Sequence, residues 1–136
     1  MSAINERRLQ DDSLNKSVAL PSGATTANTN SVDLGQATPF PITEFFHVKL
    51  ATTAATGANN KNITIKLQDS ADDSSFANIA EIGSLVLTDN NGAGYSADDI
   101  TVQLPPSTRR YVRAQATGEA NGGNAADGTL SVSFLF

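Results

Sequence analysis

The sequence of 136 residues contains no cysteine and no tryptophan, one histidine and two tyrosines. Without cysteine there can be no disulfide, zinc–thiolate site or thiol catalysis, so stability must come from packing, and redox chemistry fixes no compartment. Long apolar runs are missing too. The opening stretch, "MSAINERRLQDDSLNKSVAL", spreads charges along its length and matches neither a secretory signal nor a membrane span. Basic residues are scarce: nine Lys and Arg against fourteen Asp and Glu give a net charge of -5. That balance disfavours a nucleic-acid backbone as partner. Neither nucleic acid nor membrane is therefore expected as a partner.

What is present suits one domain, since a chain of this length can bury roughly two thirds of its unfolded surface. The apolar fraction is 39% and much of it is alanine. Few large side chains imply a thin core, as between two sheets.

Two regimes divide the chain near residue 31. Residues 1–20 hold Ile4, Leu9, Leu14, Val18 and Leu20 as their only large apolar groups, and Arg7 and Asp11 interrupt any helical stripe. Residues 21–31, "PSGATTANTNS", have no large apolar side chain and read as a flexible or extended connector. If the first segment is extended, Ile4, Leu14, Val18 and Leu20 share one parity and one side. It then reads as an arm that docks on a partner surface and can be removed without harm to the folded body.

From residue 32 onward, apolar and polar residues alternate with period two between Gly, Asn, Asp and Pro. Phe46, Val48 and Leu50 form one such face, and Ile63, Ile65 and Leu67 another. Leu85 and Leu87, then Ile100, Val102 and Leu104, then Val112, Ala114 and Ala116, and last Leu130, Val132, Phe134 and Phe136 repeat the pattern. Short strands at "SVDLG" and from Phe76 to Ile79 bring the expectation to about eight strands with no internal helix. Connections of about a dozen residues, such as "TDNNGAGYSADD" and "TGEANGGNAADG", fit crossings between two sheets. The fold class is thus all-β, a jelly-roll or Greek-key sandwich over residues 32–136. Its inward residues are expected to include Phe46, Val48, Ile63, Ile65, Leu67, Val102, Val112, Val132 and Phe134.

Chemistry-bearing residues are few. Asp69, Asp72 and Asp73 crowd the end of a strand, but counting from Asp69 as the first calcium-loop position puts Ser74 where glycine is required and Ala80 where a bidentate Glu is required. Asp and Ser also close turns through their own backbone, which is the preferred reading, with a looser calcium site as the alternative. His47 is the lone histidine and has no cysteine partner; alternation places it on the solvent side of a strand. Asp98 and Asp99, with Glu44 or Glu119, supply carboxylates for glycoside hydrolysis only if they converge. In "STRRYVR", Arg109, Arg110, Tyr111 and Arg113 crowd a strand behind two prolines. That is either a charged outer face or an interface anchor, since Tyr and Arg are enriched at interface hot spots.

The blocks "TANTNSVDLG", "ITIKLQDSADDSSF" and "LPPSTRRYVRAQATG", in that order and spacing, resemble the bacteriophage cement (decoration) proteins, small jelly rolls that bind the outside of tailed-phage capsids. The resemblance implies no catalysis and no cofactor. It implies a virion protein made in the host cytoplasm and placed on the outer capsid surface. Its partners would be the phage major capsid protein and itself, as a homodimer ahead of a homotrimer. Ile4, Leu14, Val18 and Leu20 from the arm, with Arg109, Arg110, Tyr111 and Arg113 from the body, are then the expected capsid or subunit interface. The alternative is a carbohydrate-binding sandwich on a virion, such as a head-fibre or receptor-binding domain.

Overall fold

A computed structural model describes residues 14–35 and 47–135. Its ten strands are β1 (Lys16–Ala19), β2 (Thr26–Asn28), β3 (Val32–Asp33), β4 (His47–Thr52), β5 (Asn62–Ser70), β6 (Ala77–Asn78), β7 (Leu85–Thr88), β8 (Asp98–Gln103), β9 (Tyr111–Gly118) and β10 (Thr129–Leu135). Among the described residues there is no α-helix. One sheet has the order β1-β10-β4-β8; the other has β2-β9-β5-β6, with β3 also on β9 and β7 also on β5. All pairings are antiparallel. The chain changes sheet at every connection except β2–β3, β5–β6 and β6–β7. Those crossings make it a sandwich of the jelly-roll type.

The core follows from period two. In β4 and β10 every second residue is buried, so Val48 sits opposite Phe134 and Leu50 opposite Val132. In the other sheet, Ile65 and Leu67 of β5 sit beside the alanines of its neighbour β9, Ala116 and Ala114. Val102 differs from expectation: it is half-buried rather than enclosed. Its strand β8 is the edge of the four-stranded sheet, and only β4 covers its flank. Phe46 and Phe136 lie outside the described residues.

All eight expected strands are present, and the two additional ones come from the segment read as arm and connector. β1 pairs with β10 through Lys16↔Val132 to Ala19↔Thr129, and β2 pairs with β9 through Thr26↔Thr117 to Asn28↔Gln115. Among the described residues the sheets therefore begin at residue 16 and not at 32. The stretch between β1 and β2 is anchored as well. Gly23 donates its N–H to the carbonyl of Gly123 at 2.8 Å, and Gly118 donates to that of Thr25 at 3.0 Å. A Cβ on Gly118 would lie 2.2 Å from the Gly23 carbonyl oxygen, so the crossing needs glycine there.

One buried carboxylate helps tie the long loops to one another. Asp89, almost fully buried, accepts backbone N–H groups from Gly92, Gly94 and Asn60. Burial works against its ionised form, and these three donors outweigh it, holding the pKa below its ordinary value. Tyr95 is enclosed beside it and donates to the carbonyl of Lys61.

Candidate functional site

β5 and β9 pair from Ile63↔Gly118 to Ser70↔Tyr111, which is the longest ladder among the described residues. Inward go Ile65, Leu67, Val112, Ala114 and Ala116. The opposite parity, Thr64, Lys66 and Gln68 with Tyr111, Arg113, Gln115 and Thr117, covers the outer face of the six-stranded sheet. Sequence alternation had already placed Tyr111 and Arg113 together on that side.

On this face Gln68 is the hub. Its Nε2 donates to Asn78 Oδ1 at 3.0 Å and to Gln115 Oε1 at 3.3 Å, while its Oε1 accepts from Arg113 Nε at 2.9 Å. Gln115 in turn donates to Asn28 Oδ1 at 3.1 Å. The Arg113 guanidinium lies 4.0 Å from the ring centroid of Phe76. Burial against that ring lowers the Arg113 pKa, and the charge of Asp73 partly opposes the shift. Four strands thus contribute to one linked row of amides ending in a cation stacked on an aromatic ring. Beside it lies an open depression of about 290 Å³ lined by Thr64, Lys66, Asn78, Gln115 and Thr117.

The other sequence-predicted residues separate into different roles. Arg109 is committed to Asp69: its Nη2 donates at 2.8 Å to the carboxylate and at 2.8 Å to the Asp69 carbonyl, and its Nε and backbone N–H donate to the same carboxylate. Hydrogen bonding to Asp69 raises the Arg109 pKa. This residue closes the top of β9 onto β5. Arg110 pairs with Asp33 of β3 at 2.7 Å and lies 5.2 Å from the ring centroid of Tyr111. The Arg110 hydrogen bond, then the Gly35 N–H, hold the Asp33 carboxyl below its ordinary value.

The three crowded carboxylates do not converge. Asp69 takes Arg109, Asp73 accepts from the Ser31 hydroxyl, and Asp72 accepts from the Ser75 N–H, the Ser70 hydroxyl and the Ser74 N–H. Those bonds lower the Asp72 pKa to about 2. The segment is a turn closed by its own side chains. Among the described residues no cluster of three His, Asp or Glu is placed to hold a metal. His47 sits half-buried on β4, Asp98 and Asp99 begin β8 of the other sheet, and Glu119 follows β9, where it accepts the Asn62 N–H. Ile4 and Glu44 lie outside the described residues.

Leu20 requires a correction. It is 2% exposed and belongs to the protein's own core, with Leu14 and Val18 partly buried against the same cluster. Leu14, Val18 and Leu20 share one side, and pairing of β1 with β10 turns that side inward. Leu20 cannot serve as a docking residue on a foreign surface. Sequence reasoning also missed Gln68 and Asp89, whose importance depends on partners 10 to 47 and 3 to 29 positions away.

A family model, Bbp16, matches residues 17–133. The chain belongs to the Bbp16 family. The match spans both sheets, β1 to β10, and includes the outer-face row. Similar solved structures include a protein of the Bacillus endospore appendages, described as disulfide-linked pili, with 15% identity, 96% of this chain and 88% of that chain covered, and a TM-score of 0.51. The PBSX exported protein XepA has 12% identity over 88% of this chain and 34% of its own, with a TM-score of 0.49. The infectious bursal disease virus VP2 subviral particle has 12% identity, 95% and 32% coverage, and a TM-score of 0.46. This chain thus spans about a third of the latter two. These likenesses concern the fold. No curated protein sequence matches the chain significantly.

Proposed function

We propose that this Bbp16-family protein is a non-enzymatic structural component of a phage virion that binds the outer capsid surface and cements neighbouring major capsid protein subunits. The observation that carries the reading is the family match over a sandwich whose chemistry-bearing side chains are held in pairs and rows across a broad sheet. Arginines preset by carboxylate and aromatic contacts lose little freedom on docking, which favours a rigid interface. Arg110 and Tyr111, at the exposed corner where β3 meets β9, are the contact residues proposed on the body. Arg109 and Arg113 support that corner from within. A cement protein adds buried area across joints between shell subunits, and many moderate contacts repeated over a lattice add by avidity.

The test is co-sedimentation of the purified protein with capsids lacking it, followed by heating. Bound protein should raise the temperature at which particles burst. Arg110→Ala combined with Tyr111→Ala should release it from particles while the free domain keeps its melting temperature within a few degrees, because exposed pairs contribute little to folding, about 0–1 kcal/mol. Retention of the double variant at the wild-type level would remove this corner from the interface. Particles equally heat-stable with and without bound protein would refute the cementing role.

A further inference from the structure

The proposed capsid corner leaves the opposite end of the same sheet face unused. Here the depression between β5, β6 and β9 has walls of Thr64, Lys66, Asn78, Gln115 and Thr117. Every wall residue is a hydroxyl, an amide or an ammonium. The amides are already oriented, because Gln68 fixes Asn78 and Gln115 from the centre of the row. Lys66 stands on the floor, opposite Gln115 in the register, and has no carboxylate within ion-pair distance among the described residues. The next cation along the face, Arg113, is bonded to the Gln68 amide and stacked on Phe76, and it has no carboxylate within ion-pair distance among the described residues. In a protein of net charge -5, two cations free of salt bridges on one polar face are a local reversal of sign.

Those features define a ligand. It must be rich in hydroxyls to use fixed amides and threonines, and it must carry a negative group to meet Lys66. An apolar or helical peptide finds no apolar wall here, and the floor strands β5 and β9 are both paired on each side, so within the depression they offer no edge to an added strand. The volume matches one or two sugar rings. We propose that this depression is a binding site for an acidic saccharide, a sugar unit bearing a carboxylate, with Lys66 reading the charge and Asn78, Gln115, Thr64 and Thr117 reading the hydroxyls. On a virion surface such a site would hold the particle weakly to acidic glycan, and repetition over the capsid would multiply the effect.

The test uses the full-length protein, isotope-labelled, titrated with oligogalacturonate and with its methyl ester, which keeps the ring and removes the charge. Oligogalacturonate should shift the amides of residues 64–68 and 114–117, and the methyl ester should bind at least tenfold more weakly. Lys66→Ala should reduce affinity about tenfold with the melting temperature unchanged, and Asn78→Ala, which also takes one partner from Gln68, should weaken both ligands in a domain that circular dichroism shows to be still folded. Capsid binding should be untouched by either variant, so loss of the cementing reading and loss of this one are distinguishable. No shift at millimolar ligand, equal binding of the ester, equal binding of polyglutamate, or shifts that survive both substitutions would each overturn the proposal.

Discussion

Replacing Leu20 by alanine separates a detachable arm from an integral strand. Leu20 is 2% exposed, and its N–H donates to the Gly128 carbonyl at 3.0 Å. Gly128 packs so closely that a Cβ there would lie 3.0 Å from Leu20 Cδ1. Substitution by alanine removes three carbons, worth about 0.8 kcal/mol each, or roughly 2.4 kcal/mol in transfer terms. Walls held by two sheets collapse poorly, so a cavity term raises the expected cost to about 3 kcal/mol, inside the usual range of about 2–5 kcal/mol. For a domain of this size that corresponds to a fall of about 10 °C in melting temperature. Urea unfolding followed by circular dichroism gives the free energy, and Ser17→Ala, on the exposed side of the same strand, is the control, expected to stay within about 0.5 kcal/mol. Deleting residues 1–20 should be worse, since it removes β1 from the flank of β10. A Leu20→Ala cost below about 1 kcal/mol would refute the reasoning and restore a removable arm.

Gly118→Ala should destabilise by about 1–3 kcal/mol, because the new methyl would meet the Gly23 carbonyl at 2.2 Å; a neutral result in denaturant unfolding would mean that the β1–β2 crossing yields freely. Acid unfolding should show the Asp72 contribution with a definite sign. Its folded pKa of about 2 lies below the ordinary 3.8, so its stabilisation is complete above pH 3.8 and is lost as pH falls toward 2; Asp72→Asn should flatten that limb, and an unchanged profile would count against the turn. Gln68→Ala leaves Arg113, Asn78 and Gln115 each short of a partner and should cost about 1–3 kcal/mol; a smaller loss would show that water replaces the hub.

The sequence by itself determined the sandwich. Where large apolar residues alternate with polar ones in strands paired on both sides, as at Ile63, Ile65 and Leu67 or Leu130, Val132 and Phe134, the period sets strand, face and burial, because one side of each sheet must leave water. It also determined that Asp72 closes a turn, since Asx chemistry is local. Tertiary structure decided the rest. "KSVA" and "TAN" have too little apolar content to announce strands, and they are strands because β10 and β9 offer them unpaired backbone edges. The same pairing converted Leu20 from a candidate anchor to core. Val102 moved the other way, to half-burial, because strand order put β8 at an edge. Asp69, Asp89 and Gln68 look like ordinary polar residues in sequence. Their roles come from partners brought close by sheet pairing and loop crossing, and a local pattern carries no record of contacts made across 29, 40 or 45 positions.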